Sequence, residues 1–82
     1  MTREEIYAAI NEERARQDKK YPVFANSEHQ ALAVLASEFG EVSTEVRGSG
    51  GEQSVTEPMS RALRAELIQV AAVCVRWLEQ AP

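Results

Sequence analysis

Residues 27–46 read SEHQALAVLASEFGEVSTEV, and this stretch decides the fold class. Its apolar residues alternate at spacings of three and four, which is typical of an amphipathic helix. Ser27 and Gln30 have the spacing of a capping box, in which the serine side chain accepts a hydrogen bond from a free backbone N–H of the first turn. The stretch therefore predicts a helix over residues 27–46, with an apolar seam made of Leu32, Leu35, Phe39, Val42 and Val46.

Similar signals predict a helix on each side of this one. Thr2 and Glu5 form a capping pattern for a helix over residues 2–18, which ends before Tyr21 because a residue followed by proline resists the α conformation. Residues 47–54 hold three of the four glycines and predict a surface loop. Ser54 and Glu57 again have capping spacing, so a third helix is expected over residues 55–79, with Leu63, Leu67, Val70, Cys74, Trp77 and Leu78 as its apolar positions. No stretch alternates like a strand, and the predicted fold class is all-α, with the second and third helices as an antiparallel hairpin.

The length of the chain predicts one domain that does not stand alone. At 82 residues, a core buries only roughly 60–65% of the unfolded surface, and the single cysteine, Cys74, cannot form a disulfide within the chain. Three amphipathic helices leave more apolar surface than they can cover internally. We therefore expect a single helical domain over residues 1–82 that completes its bundle as a homodimer or homotetramer.

Charge and hydropathy argue against duplex nucleic acid and the membrane as partners. Nine basic residues stand against 13 acidic ones, a net charge of −4, whereas a protein that binds duplex nucleic acid carries a basic face. The longest fully apolar runs, residues 31–36 and 70–75, are too short to span a bilayer. The charged N-terminal residues do not resemble a signal peptide, and an unpaired cysteine fits a reducing compartment, so a cytoplasmic protein is expected.

Two helices carry polar pairs beside their predicted seams. At about 100° per residue, Glu38 and Glu66 lie about 80° from the seam centres, and Glu41 and Gln69 lie about 140° from them. None of the three glutamates has a lysine or arginine three or four residues away, although like charges at this spacing cost a few tenths of a kcal/mol. Taken alone, a pair of glutamates three residues apart is usually an ordinary surface feature. Its repetition on a second helix favours a site for a hard divalent cation such as Mg²⁺, which binds oxygen ligands.

These residues resemble the motifs of MazG-like nucleotide pyrophosphohydrolases. Residues 36–42, ASEFGEV, are similar to the E-E-x-G-E segment of that family, and residues 63–72, LRAELIQVAA, are similar to its E-x-x-D helix. Residues 13–21, ERARQDKKY, are similar to small phage-type members. The resemblance covers nearly the whole chain. It implies an oligomeric all-α bundle and Mg²⁺-dependent hydrolysis of nucleoside triphosphates to monophosphate and pyrophosphate.

The resemblance also assigns roles to residues. Glu38, Glu41 and Glu66, with Gln69, would hold Mg²⁺, and Glu38 and Glu41 would act in catalysis. Lys19, Lys20 and Arg76 are candidates for contact with the substrate phosphates. The alternatives are that the two lysines neutralise the C-terminal dipole of the first helix and that Arg76 faces solvent.

The chain departs from the family pattern at two positions. Ser37 stands where the family often has the first glutamate of its pair, and Gln69 stands where it has an aspartate. An amide oxygen coordinates Mg²⁺ but adds no negative charge. The alternative function is therefore a catalytically silent helical oligomer that binds a nucleotide or a protein partner.

Overall fold

A computed structural model describes residues 1–82 as three helices without a strand. They are α1, Arg3–Lys20, α2, Glu28–Gly48, and α3, Arg61–Gln80. The predicted all-α class is confirmed. None of the three helices combines the length and the apolar content that a membrane crossing requires.

The predicted starts of the first two helices are confirmed by their caps. Thr2 accepts a hydrogen bond from the Glu5 backbone N–H at 3.1 Å, and the Glu5 carboxylate accepts one from the Thr2 N–H at 2.9 Å. Ser27 accepts from the Gln30 N–H at 3.1 Å. Both helices end two residues later than predicted, at Lys20 and Gly48. The backbone turn follows at Gly50 and Gly51, whose positive φ angles of 89° and 71° suit glycine.

The predicted start of the third helix is wrong by six residues. Helix α3 begins at Arg61, and Ser60 rather than Ser54 is its cap, accepting a hydrogen bond from the Leu63 N–H at 3.1 Å. Pro58 explains the difference, because it forces Glu57 away from the α conformation and has no N–H for the first helical hydrogen bond. The loop between α2 and α3 is therefore longer than the glycine-rich segment alone.

Helix α3 lies in the middle of the molecule. It packs against α1 and against α2, whereas α1 and α2 do not pack against each other. The predicted hairpin of α2 and α3 is antiparallel, since Ala31 lies near Trp77 and Glu45 near Leu63. Helix α1 runs parallel to α3, with Arg14 bonded to Glu79.

The packing covers the predicted seams only in part. On α2, Leu32 and Phe39 are 55% and 66% exposed, while Ala31 is buried. On α3, Leu67 and Leu78 are exposed, and the buried residues are Ala72, Val73 and Arg76. Helix α3 contacts a neighbour on two sides, so its small residues face both neighbours at close range. Larger apolar side chains such as Leu35, Val70 and Trp77 are half-buried.

The result is a thin, open layer with a small core. Only six of the 82 residues are buried, and four of these are apolar, none larger than valine. The radius of gyration is 13.7 Å, against about 12 Å for a compact chain of this length. The molecule measures 39 × 27 × 20 Å.

Candidate metal centre

Four predicted site residues meet between α2 and α3, and we call them the carboxylate cluster: Glu38, Glu41, Glu66 and Gln69. The antiparallel packing brings the i,i+3 pair of one helix opposite the i,i+3 pair of the other. The three glutamates each offer a carboxylate oxygen, and these oxygens all lie within 4.8 Å of one another. Glu38 and Glu66 are half-buried, whereas Glu41 is exposed. The cluster is therefore open to solvent on one side.

Gln69 joins the cluster through its side-chain amide. One end of the amide lies 2.9 Å from Oε2 of Glu38 and 3.3 Å from Oε2 of Glu66. With Nε2 at this end, the amide donates hydrogen bonds to both carboxylates and relieves part of their repulsion. A half-turn of the amide places its carbonyl oxygen at the same point and presents an acceptor instead. Gln69 can thus donate to the carboxylates in the absence of a cation and can offer an oxygen ligand in the presence of one.

Crowding of like charges shifts the protonation of the cluster. The pKa of Glu66 is raised to about 7, chiefly by a hydrogen bond shared with Glu41, and further by burial and by the charges of Glu41, Glu38 and Glu45. The pKa of Glu38 is also raised, first by its burial and then by the Glu41 charge. The crowding thus favours the protonated forms of Glu66 and Glu38.

The protein supplies little positive charge of its own to the cluster. Arg16 lies near enough to favour the charged form of Glu38, but its guanidinium donates to both carboxylate oxygens of Glu13, at 2.8 and 2.6 Å. This pair holds the pKa of Glu13 below its ordinary value. The negative charge of Glu38, Glu41 and Glu66 stays largely uncompensated.

The donor set consists of oxygen atoms, the ligand type of small divalent cations. In an octahedral Mg²⁺ site with oxygens at about 2.1 Å, adjacent ligands are about 3 Å apart and opposite ligands about 4.2 Å apart. The carboxylate oxygens of Glu38, Glu41 and Glu66 lie within 4.8 Å of one another, a limit somewhat larger than the separation of opposite ligands in such a site. All the donors are oxygen, which is the ligand type that Mg²⁺ prefers.

Arg76 does not act as a surface cation. It is 7% exposed, donates from Nη2 to the Tyr21 carbonyl at 2.6 Å, and pairs through Nε with Asp18 at 3.0 Å. Its guanidinium also stacks 5.3 Å from the centre of the Phe24 ring. The expectation that Arg76 faces solvent is therefore wrong, because its contacts hold the connector between α1 and α2. Its contact with substrate phosphate stays a prediction.

Lys19 and Lys20 lie away from the cluster within one chain. They end α1 beside the C-terminal half of α3, where Asp18 pairs with Arg76. Arg76 is seven residues beyond Gln69, about 10 Å along the helix axis. Both lysines are exposed, and Lys20 Nζ lies 5.3 Å from the Tyr21 ring centre. The structure does not bring them to the cluster.

Three residues near the cluster were not singled out as site residues from the sequence. Glu13 and Arg16 approach Glu38 from α1, and Glu45 adds its charge to the surroundings of Glu66. Glu45 follows Glu38 by seven residues, so helical periodicity places it on the same face. Contact between α1 and the cluster has no such local signal, because it depends on how the helices pack.

Comparisons of the chain with protein-family models, with curated proteins and with solved structures give no match. The MazG-like resemblance therefore stays a prediction from the motif residues. The function is argued below from the geometry of the cluster.

Proposed function

We propose that the chain is a Mg²⁺-dependent nucleoside triphosphate pyrophosphohydrolase of the MazG-like kind. The observation that carries this proposal is the convergence of Glu38, Glu41 and Glu66 with the Gln69 amide across two helices. Such a cluster is unfavourable by itself, since it gathers like charges and raises the pKa of Glu66. A function that uses a cation accounts for why these side chains meet.

The reaction would convert a nucleoside triphosphate and water into a nucleoside monophosphate and pyrophosphate. One of the two bonds of the oxygen that bridges the α- and β-phosphates breaks, either the bond to the α-phosphorus or the bond to the β-phosphorus. Water attacks the phosphorus that loses this bond and supplies its new oxygen. When bound, Mg²⁺ would neutralise charge on the phosphates and lower the pKa of water. Glu38, Glu41 and Glu66 would hold it through carboxylate oxygens, and Gln69 through its amide oxygen.

Glu38 and Glu41 are the proposed catalytic residues. A carboxylate oxygen of this pair would accept the proton that the attacking water loses. Glu41 is the exposed member and lies at the solvent side of the cluster, where water enters. Without a cation, the Gln69 amide donates to Glu38 at 2.9 Å, and it would turn its carbonyl oxygen towards the cation on binding.

The same proposal includes assembly as a homodimer or homotetramer in the cytoplasm. Three large side chains of α2 recur at intervals of seven residues and are exposed: Leu32, Phe39 and Val46. A second copy would cover this stripe and enlarge a core that is small in the single chain. The free thiol of Cys74 fits a reducing compartment.

The test is pyrophosphate release from a panel of nucleoside triphosphates, with Mg²⁺ and with a chelator. We expect release from at least one triphosphate that requires Mg²⁺ and falls by about two orders of magnitude or more in Glu41→Gln. Glu52→Gln, which makes the same change in the exposed loop, should match the wild type. Absence of release from every triphosphate, or release that persists in chelator, would overturn the proposal. Absence of release from every triphosphate would favour the catalytically silent helical oligomer.

A further inference from the structure

An apolar groove runs between the N-terminal halves of α1 and α3 and is open to solvent. Its volume is about 370 Å³, and seven of the eight residues that line it are apolar, the exception being Arg64. Ile6 and Ile10 line it from α1, and Leu67 and Ala71 line it from α3. Ile6 and Leu67 are 37% and 40% exposed, so the chain covers them only in part. The groove is thus a second uncovered apolar surface, in addition to the exposed stripe of α2.

The groove and the stripe lie on the same side of the layer of helices, opposite the carboxylate cluster. Phe39 comes two residues before Glu41, and Leu67 comes two residues before Gln69. Two residues correspond to about 200° around a helix, so each apolar side chain points nearly opposite to the cluster residue that follows it. Because Glu41 and Gln69 meet on one side of the antiparallel pair α2 and α3, Phe39 and Leu67 share the other side, which we call the apolar side.

The stripe and the groove also lie at the same level along the helix axes. Gln69 contacts Glu38 across the two helices at 2.9 Å, which fixes the register of α2 against α3. In this antiparallel register, Phe39 is level with Ile68 to within about one helical turn. Ile68 lines the groove. The middle of the stripe is therefore level with the groove, one helix away across the layer.

A two-fold axis parallel to the helices brings the two surfaces together. Rotation about an axis in the plane of the apolar side turns a second copy to face the first, and it leaves each residue at its level along the helices. Since α3 lies between α1 and α2, the rotation exchanges left and right, so that α2 of the second copy lies over the groove between α1 and α3. The same rotation places α2 of the first copy over the groove of the second. The contact is therefore made twice, as an isologous interface requires.

The apolar side is large enough for a stable interface. The layer measures 39 × 27 Å in its plane, whereas each partner in a specific protein complex typically buries about 800 Å². We infer that the apolar side binds a second copy of the chain, with the stripe of each copy packed into the groove of the other. This inference rests on the assembly included in the proposed function, but neither Mg²⁺ nor a nucleotide enters it. The two carboxylate clusters then lie on the outer surfaces of the dimer.

The experiment changes each surface separately and then mixes the variants. Phe39→Glu alters the stripe, and Leu67→Lys alters the groove. Each variant alone should sediment at 9.1 kDa at micromolar concentration. The reason is that its dimer would bury two unpaired charges, which should raise the dissociation constant at least about a hundredfold. An equimolar mixture of the two should regain at least the mass of a dimer, since one contact is then native and the other pairs the introduced glutamate with the introduced lysine.

Two further variants complete the design. Leu67→Glu is the matched control for the mixture, because it places like charges in the second contact, and its mixture with Phe39→Glu should associate at least about tenfold more weakly. Ile6→Lys changes the opposite wall of the groove and should behave as Leu67→Lys does. All these positions are partly exposed, so the variants should keep their helices, which circular dichroism will verify.

Three outcomes would overturn the inference. They are a monomeric wild type, groove variants that keep the wild-type mass, and a mixture of Phe39→Glu with Leu67→Lys that stays monomeric. In the second case the assembly stands but the stripe meets another surface. The masses are measured without Mg²⁺ or nucleotide, so a failure to release pyrophosphate would refute the catalytic proposal and leave this result unchanged.

Discussion

At the scale of single residues, Glu66 is the most perturbed group of the protein. Its pKa is raised from 4.5 to about 7 by its contact with Glu41, by burial and by nearby negative charge. A carboxyl group with a raised pKa contributes most to stability below its ordinary pKa, and that contribution is lost as the pH rises through the raised value. The metal-free protein should therefore lose stability between about pH 4.5 and pH 7.

Replacement of Glu66 by glutamine should remove this part of the pH dependence. In chelator at pH 8, Glu66→Gln should melt at a higher temperature than the wild type, because the neutral amide abolishes repulsion from Glu41. At pH 4, where Glu66 of the wild type is protonated, the two should melt alike. Thermal denaturation from pH 4 to pH 8 measures this, with Glu52→Gln as a control that follows the wild type. Parallel curves for the wild type and Glu66→Gln would contradict the predicted coupling.

Gln69 determines how strongly the cluster attracts a cation. Gln69→Asp and the longer Gln69→Glu each add a fourth carboxylate and remove the amide that donates to Glu38 and Glu66. We expect a lower melting temperature without metal and Mg²⁺ binding that is about tenfold tighter, since each added charge increases the Coulombic attraction. Calorimetry and thermal denaturation test the two effects. Gln69→Glu keeps the side-chain length, so failure of both variants to tighten Mg²⁺ binding would show that the carboxylates do not serve a metal.

At the scale of elements, the connector between α1 and α2 is held by the C-terminal half of α3. Arg76 donates to the Tyr21 carbonyl, and Gln80 donates to the Ala25 carbonyl, each at 2.6 Å. Phe24 lies between Tyr21 and Ala25 in the connector, and its ring centre is 6.5 Å from the ring centre of Trp77. These contacts set where α2 begins relative to α3. They therefore also set the register in which Glu38 meets Gln69.

Removal of Arg76 should weaken the whole chain more than removal of Arg14. Arg76→Met leaves the Tyr21 carbonyl without its donor and removes the buried partner of Asp18, so we expect a loss of about 2–4 kcal/mol in the free energy of unfolding. Arg14 makes more exposed ion pairs with Asp18 and Glu79, and Arg14→Met should cost less than about 1 kcal/mol. Urea denaturation compares the two. A similar cost for both would mean that Arg76 does not anchor the connector.

At the scale of the whole molecule, the open layer leaves α2 without a partner on its outer side. Phe39 is 66% exposed, and Leu32 and Val46, which each lie about two turns away on the same stripe, are 55% and 37% exposed. With four small apolar residues as the buried core, a second copy is the simplest source of further burial. Sedimentation equilibrium at micromolar concentration should give a mass of two or four times 9.1 kDa.

A charge placed in the stripe should dissociate the oligomer. Phe39→Glu should shift the equilibrium to the monomer, because burial of an unpaired carboxylate is unfavourable. Val55→Glu makes the same kind of change at a loop position that is 98% exposed, and it should leave the mass unchanged. A wild-type mass of 9.1 kDa at micromolar concentration would refute the predicted assembly.

The sequence alone determined what local chemistry controls. Thr2 and Ser27 cap α1 and α2 where their side chains reach backbone N–H groups three residues on, and this contact needs no other part of the chain. The spacing of Glu38 with Glu41, and of Glu66 with Gln69, likewise places each pair on one helical face. The start of α3 also depends on the local sequence, but Pro58 prevents the helix from starting at the capping pattern of Ser54.

Only the tertiary structure decided which faces meet. Apolar periodicity predicted Phe39 and Leu67 inside, yet both are exposed, because α3 packs between two helices and close approach favours Ala72 and Val73. The same arrangement buried Arg76 and brought Arg16 near Glu38 from a helix that has no direct contact with α2. Periodicity states which residues share a face of one helix. How far each helix turns about its axis depends on every neighbour it packs against.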